Sequence, residues 1–142
     1  MNNINLIKTL CFGGLIPFYF LSTITVFNFN FLFVDLFSLY SLVILTFLSG
    51  STWYHLIIIE KKETTKGLII FIVLLPIFLI FFEILLPIIF KIFVLAVTYL
   101  IIFFIDKKFF TNLEYLKIRK ILTILVAVSH IIILFGIYSN SF

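Results

Sequence analysis

Nine of the ten Lys and Arg residues fall in three segments that separate long apolar runs, and the segments at the other ends of those runs hold only Lys91. About 20 apolar residues wound as a helix cross the ~30 Å hydrocarbon core of a bilayer, so this alternation sets a membrane topology. At 64% apolar and 11% charged, with a mean hydropathy of +1.36, the chain lies far from the roughly 45–50% and 25% of soluble domains. A soluble domain of 142 residues would leave a very large apolar patch in water. The expected fold is a single all-α integral membrane domain of five transmembrane helices. The net charge of +4 gathers at loop ends, where it reads as an orientation signal and as contact with anionic lipids, not as a nucleic-acid surface.

The expected spans are approximately 6–27, 36–59, 67–82, 87–105 and 120–138. The first is long enough to cross, and no small-x-small pattern follows it, so it reads as a retained helix and not as a cleaved signal. Asp35 is expected to close a short connection, and Trp53 and Tyr54, followed by His55, to mark an aromatic belt before Glu60-Lys61-Lys62-Glu63. Residues 67–105 would make one helix of about 58 Å, nearly twice the core thickness. Glu83 and Pro87 therefore divide them into two spans joined by a tight turn, with Pro76 a candidate kink in the first. Asp106-Lys107-Lys108 is expected to end the fourth span. Thr111 with Glu114 fits a capping box, and Phe110 with Tyr115 a hydrophobic staple, which starts the fifth helix outside the membrane.

Five spans place the N-terminus, the 60–66 loop and the 106–120 loop on one side. By the positive-inside rule that side faces the cytoplasm, or the matrix of a mitochondrion, with the C-terminus opposite. The absence of an Arg- and Ser-rich transit segment favours a bacterial inner membrane.

Composition leaves a few residues to explain. Gly13, Gly14 and Pro17 in the first span, and Thr46, Ser49 and Gly50 in the second, concentrate small or helix-bending residues, and Thr46 with Gly50 makes a small-xxx-small pair. A close crossing of helices around Gly14 and Gly50 is expected; a small cavity lined by Ser49 and Thr52 is the alternative. Cys11 stands alone and reads as a small buried hydrophobe. His130 lies mid-span, where an ionisable residue is a functional candidate, although a neutral imidazole needs only a Ser, Thr or Tyr partner from a neighbouring helix. His55 lacks metal-ligand spacing. Asp106 and Arg119 end one helix and begin the next on the same side: either solvated interface charges, or a clamp buried beneath Trp53 and Tyr115. Glu83 and Lys91 read as the shoulder of the outer turn, with Lys91 snorkelling to water. No catalytic, cofactor or metal constellation is visible.

Phe12-Gly13-Gly14-Leu15-Ile16-Pro17-Phe18, then Tyr40 and Ile44-Leu45-Thr46-Phe47-Leu48-Ser49-Gly50-Ser51-Thr52-Trp53, resemble the transmembrane protein 69-like family, small membrane proteins of bacteria and mitochondria with a domain of unknown function. Asp106, Tyr115-Leu116-Lys117-Ile118-Arg119 and Leu122-Thr123 resemble that family's closing segment. The chain departs from it at Ser49, where the family usually has a second Gly, and at Thr52-Trp53-Tyr54, where it has a His-Trp-Gly-like stretch. The resemblance implies a multi-span membrane protein and no particular activity.

Three function classes compete. A noncatalytic accessory or assembly component, with a membrane-protein partner or a second copy, fits the short loops and the lack of reactive clusters. A small transporter or lipid-handling protein would use a polar path of Ser49, Thr52, Thr98, Thr123, Ser129 and His130. An enzyme ranks last, because the six carboxylates all read as loop or helix-end residues, whereas acid–base chemistry wants a convergent pair in a pocket.

Overall fold

A computed structural model describes residues 3–59 and 64–140; the charged stretch 60–63 and the tail residues 141–142 lie outside the described residues. Within them the chain is helical: α1 (Asn3–Gly13), α2 (Leu15–Phe27), α3 (Phe31–Ile59), α4 (Thr64–Leu85), α5 (Ile88–Phe109) and α6 (Leu113–Ser139). α1 and α2 together make one span, Lys8–Phe27, and the other four helices each make one, giving five helical stretches long and apolar enough to cross a membrane.

α2, α3, α5 and α6 form a closed ring in which each packs on the next, α2 finally meeting α6, whereas α4 lies outside the ring, mainly against α3. Apolar side chains from each ring helix fill its interior, including Phe18, Phe37, Leu45, Ile92, Tyr99, Ile102, Val126 and Ile133. Large apolar residues such as Phe20, Phe47, Ile84 and Phe135 stay exposed on the outside, as a surface solvated by lipid requires.

Helix ends differ from the hydropathy reading in a consistent way: helices continue past charged residues taken for boundaries. α3 begins at Phe31, with Asn30 Oδ1 accepting from Leu32 N–H at 2.9 Å, so Asp35 lies inside the helix. Glu83 lies inside α4, and Asp106, Lys107 and Lys108 lie inside α5, whose basic last turn suits the negative end of the helix dipole. Pro87 does begin α5, since Lys91 N–H bonds its carbonyl at 3.0 Å, and α4 runs through Pro76 without a break.

α6 is capped one residue later than expected. Asn112 Oδ1, not Thr111, accepts from Glu114 and Tyr115 N–H at 3.0 and 3.1 Å. Asn supplies the side-chain acceptor that Ncap positions need. Phe110 still stacks on Tyr115, with ring centroids 4.8 Å apart, and on its other side meets His55 of α3 at 3.6 Å. This three-ring stack holds the α5–α6 turn against the end of α3.

The close helix crossing expected at Gly14 and Gly50 lies elsewhere. A Cβ at Gly13 would meet nothing within 4 Å, one at Gly14 would meet the Tyr40 hydroxyl of α3 at 3.7 Å with no α3 backbone nearer, and one at Gly50 only Trp53 Nε1 of its own helix at 3.9 Å. At Gly136 it would meet Val26 Cγ2 and backbone N at 3.2 Å and the Thr25 carbonyl carbon at 3.3 Å, so α2 and α6 make backbone contact there. The first span is interrupted at Gly14, three residues before Pro17. Pro17 has no N–H to offer the carbonyl one turn back, and beside that position the Gly14 carbonyl accepts from the Tyr40 hydroxyl of α3 at 2.8 Å.

Candidate functional site

α3 carries hydroxyls at positions 38, 41, 49 and 52, spaced to share one helix face, and all four are buried. Three of them meet a polar partner on another helix, at three depths of the bundle.

At the cation-rich end, the Thr52 hydroxyl donates to Asp106 Oδ1 at 2.8 Å. The other carboxylate oxygen accepts from Arg119 Nε at 2.9 Å and also from Nη2. Asp106 is wholly buried and the Arg119 side chain is 7% exposed, so α3, α5 and α6 are joined by a desolvated, charge-balanced pair. Removing either partner would strand a charge in the bundle. Tyr115 shares a cavity wall with Arg119. Trp53 is half-buried and makes a T-shaped ring contact with Tyr54 of its own helix.

At mid-depth, His130 Nδ1 lies 2.8 Å from the Val126 carbonyl and Nε2 lies 3.1 Å from Ser41 Oγ. A carbonyl only accepts, so Nδ1 carries the proton, and in a neutral ring Nε2 then accepts from Ser41. Phe37 and Tyr99 pack edge-on against the imidazole at 4.8 and 5.6 Å, and the Tyr99 hydroxyl donates to the Ser41 carbonyl at 3.0 Å. Both ring nitrogens are satisfied and the ring is enclosed. The hydroxyl partner that a buried neutral His needs is Ser41.

At the far end, Lys91 Nζ bridges Glu83 Oε1 at 2.9 Å and Asp35 Oδ1 at 3.1 Å, and Ser38 donates to Glu83 Oε2 at 2.6 Å. Lys91 therefore turns between two carboxylates instead of snorkelling to water, and it ties α3, α4 and α5 together.

Of the residues considered for a polar path, Thr52 and His130 bond across helices and Thr123 lines a cavity. Ser49, Thr98 and Ser129 donate to carbonyls of their own helices, Thr46, Val94 and Val126 respectively. Among the described residues, no three His, Cys, Asp or Glu side chains converge as metal ligands. His55 Nε2 is, among the described residues, the sealed side-chain polar atom without a hydrogen-bond partner.

One open cavity of about 340 Å³ lies between α1, α2, α3 and α6, above the His130 layer. Its walls are mostly aliphatic and aromatic. Arg119, Tyr115, Ser51, Thr123 and Cys11 also line it, so Cys11 faces a cavity and is not simply core filling.

The sequence points to Asp106, Arg119 and His130 but not to the side chains that hold them. Their signal is the hydroxyl periodicity of α3. Ser38 and Ser41 read individually as tolerated small polar residues, and Thr52 as a wall of a small cavity or polar path, yet their spacing marks the helix face directed at the other spans.

Residues 4–135 match a family described as a protein of unknown function, DUF3429. No curated protein and no solved structure matches the chain.

Proposed function

The chain belongs to the DUF3429 family, and from that premise we propose that it is a noncatalytic binding component of a membrane assembly, an accessory or assembly factor working through its helix faces. One observation supports this reading. The buried Asp106 is engaged with Thr52 and Arg119 and the buried His130 with Ser41 and the Val126 carbonyl, while the partly exposed Glu83 is held by Ser38 and Lys91. Groups so occupied fasten helices together, whereas acid–base catalysis or proton relay needs a group that meets substrate or water. The same observation weighs against transport past His130. α4, packed mainly on α3 and largely exposed, is the face offered to a partner.

The finer placement belongs to this reading as well. The resemblance carried by Phe12–Phe18 and Ile44–Trp53 is what supports a transmembrane protein 69-like relationship. The cation-rich end, with its nine Lys and Arg, is assigned to the cytoplasmic face of a bacterial inner membrane, in contact with anionic lipids.

The test is purification of the tagged protein at native expression level in mild detergent, with quantitative identification of bound protein. A stoichiometric membrane-protein partner, lost when exposed α4 residues such as Phe78 and Phe81 are changed to Ala, is the expected result. A chain that emerges alone would overturn the accessory role.

A further inference from the structure

We propose that the open cavity holds one acyl chain of an anionic membrane phospholipid, with a phosphate or ester oxygen of that lipid accepting a hydrogen bond from Arg119. This goes beyond the accessory role and does not depend on it.

The cavity's size and shape suit a chain. Its ~340 Å³ lies within the range of small-molecule sites, and from Tyr115 to Val126 it follows α6 for about 16 Å. Leu15, Ile44, Leu48 and Leu122 offer it apolar walls.

Its mouth identifies the source of the occupant. Leu10 and Phe47 line the cavity yet are 67% and 73% exposed on the bundle's outer surface, so the opening is lateral, toward lipid. An amphiphile enters from the bilayer without crossing water.

Arg119 supplies the polar anchor. It binds Asp106 through Nε and Nη2, and among the described residues no hydrogen bond engages Nη1. That atom is not among the sealed, unpartnered atoms of the bundle, and Arg119 lines the cavity, so Nη1 remains reachable from it. A guanidinium prefers an anionic oxygen as its acceptor. Lys8 is exposed, one turn from the cavity residue Cys11 on the same helix face, and adds positive charge where a headgroup would lie. Anionic lipid is favoured over zwitterionic on that account.

The test titrates delipidated protein in detergent with phosphatidylglycerol or with phosphatidylcholine of the same chains, read by native mass spectrometry. One phosphatidylglycerol per protein should survive activation that strips phosphatidylcholine. Ile44→Trp fills the cavity from α3 without touching the Asp106 pair and should weaken that retention at least tenfold. Arg119→Lys keeps a cation opposite Asp106 but loses the planar fork, and should reduce the preference for phosphatidylglycerol by about tenfold, as expected when one hydrogen bond to a charged group is lost. Cys11 is the chain's single thiol and gives an independent readout on the unaltered protein. Its alkylation by N-ethylmaleimide should slow with phosphatidylglycerol and be unaffected by inorganic phosphate. Equal retention of the two lipids, undiminished retention by Ile44→Trp, or protection of Cys11 by phosphate alone would overturn the proposal.

Discussion

Arg119→Met strands the Asp106 carboxylate, which is wholly buried and keeps only the Thr52 hydroxyl. Breaking a buried ion pair from one side typically costs about 3–5 kcal/mol, a large part of the ~5–15 kcal/mol that separates folded from unfolded domains. Asp106→Leu should cost a similar amount by stranding the guanidinium. The double variant Asp106→Leu/Arg119→Met behaves differently, because two apolar residues of similar bulk fill the site and no charge remains. Thr52 is not orphaned, since its hydroxyl also lies 3.0 Å from the Leu48 carbonyl and turns to it. The double variant should therefore lie within about 1 kcal/mol of the original protein or be more stable, with a coupling energy of roughly 3 kcal/mol or more between the sites. The assay is reversible unfolding in mixed micelles of increasing sodium dodecyl sulfate. It can be followed by fluorescence of Trp53, the chain's single Trp, one residue beyond Thr52. A double variant destabilised by the sum of the two single losses would refute the buried-pair reasoning.

The other predictions use the same unfolding measurement. Gly136→Ala forces a methyl group against the α2 backbone at 3.2–3.3 Å and should cost about 1–3 kcal/mol as an overpacked contact, whereas Gly50→Ala, which meets only Trp53 Nε1 of its own helix at an ordinary contact distance, should be neutral; the reverse order would place the close crossing back in α3. His130→Leu leaves the Ser41 hydroxyl without its partner and should destabilise by about 1–3 kcal/mol; no loss of stability would contradict a locking role. Asn112→Ala removes the acceptor for two N–H groups and should cost about 1 kcal/mol, against nothing measurable for Thr111→Ala.

The five spans were legible because hydropathy responds to the one demand a bilayer makes on every residue, that apolar surface face it. Helix ends were less so, for a physical reason. Asp35, Glu83 and Asp106 looked like boundaries because an isolated charge belongs in water, but each has a partner on another helix, Lys91 for the first two and Arg119 for the third. A paired charge lets its helix continue.

Asp106 and Arg119 could be singled out because a short turn returns one helix end to the next. Which of the two readings holds, solvated charges or a buried clamp, depends on Thr52 of α3, far from both in sequence, which donates to Asp106 inside the bundle. The clusters at Gly13-Gly14 and Ser49–Thr52 drew attention away from Gly136. That residue is isolated in sequence, and it meets α2 only because the ring of helices closes there.

If α5 and α6 each cross the membrane, their C-terminal ends lie on opposite sides, with the Asp106–Arg119 pair at the cation-rich end that is proposed to face the cytoplasm. In a Cys11→Ser background, Lys107→Cys and Ser139→Cys place single thiols at exposed positions near the C-terminal ends of α5 and α6. A membrane-impermeant thiol reagent applied to intact cells should label the cysteine at 139 and spare that at 107, and inverted vesicles should give the opposite pattern. Labelling of both positions from the same side would contradict the five-span bundle.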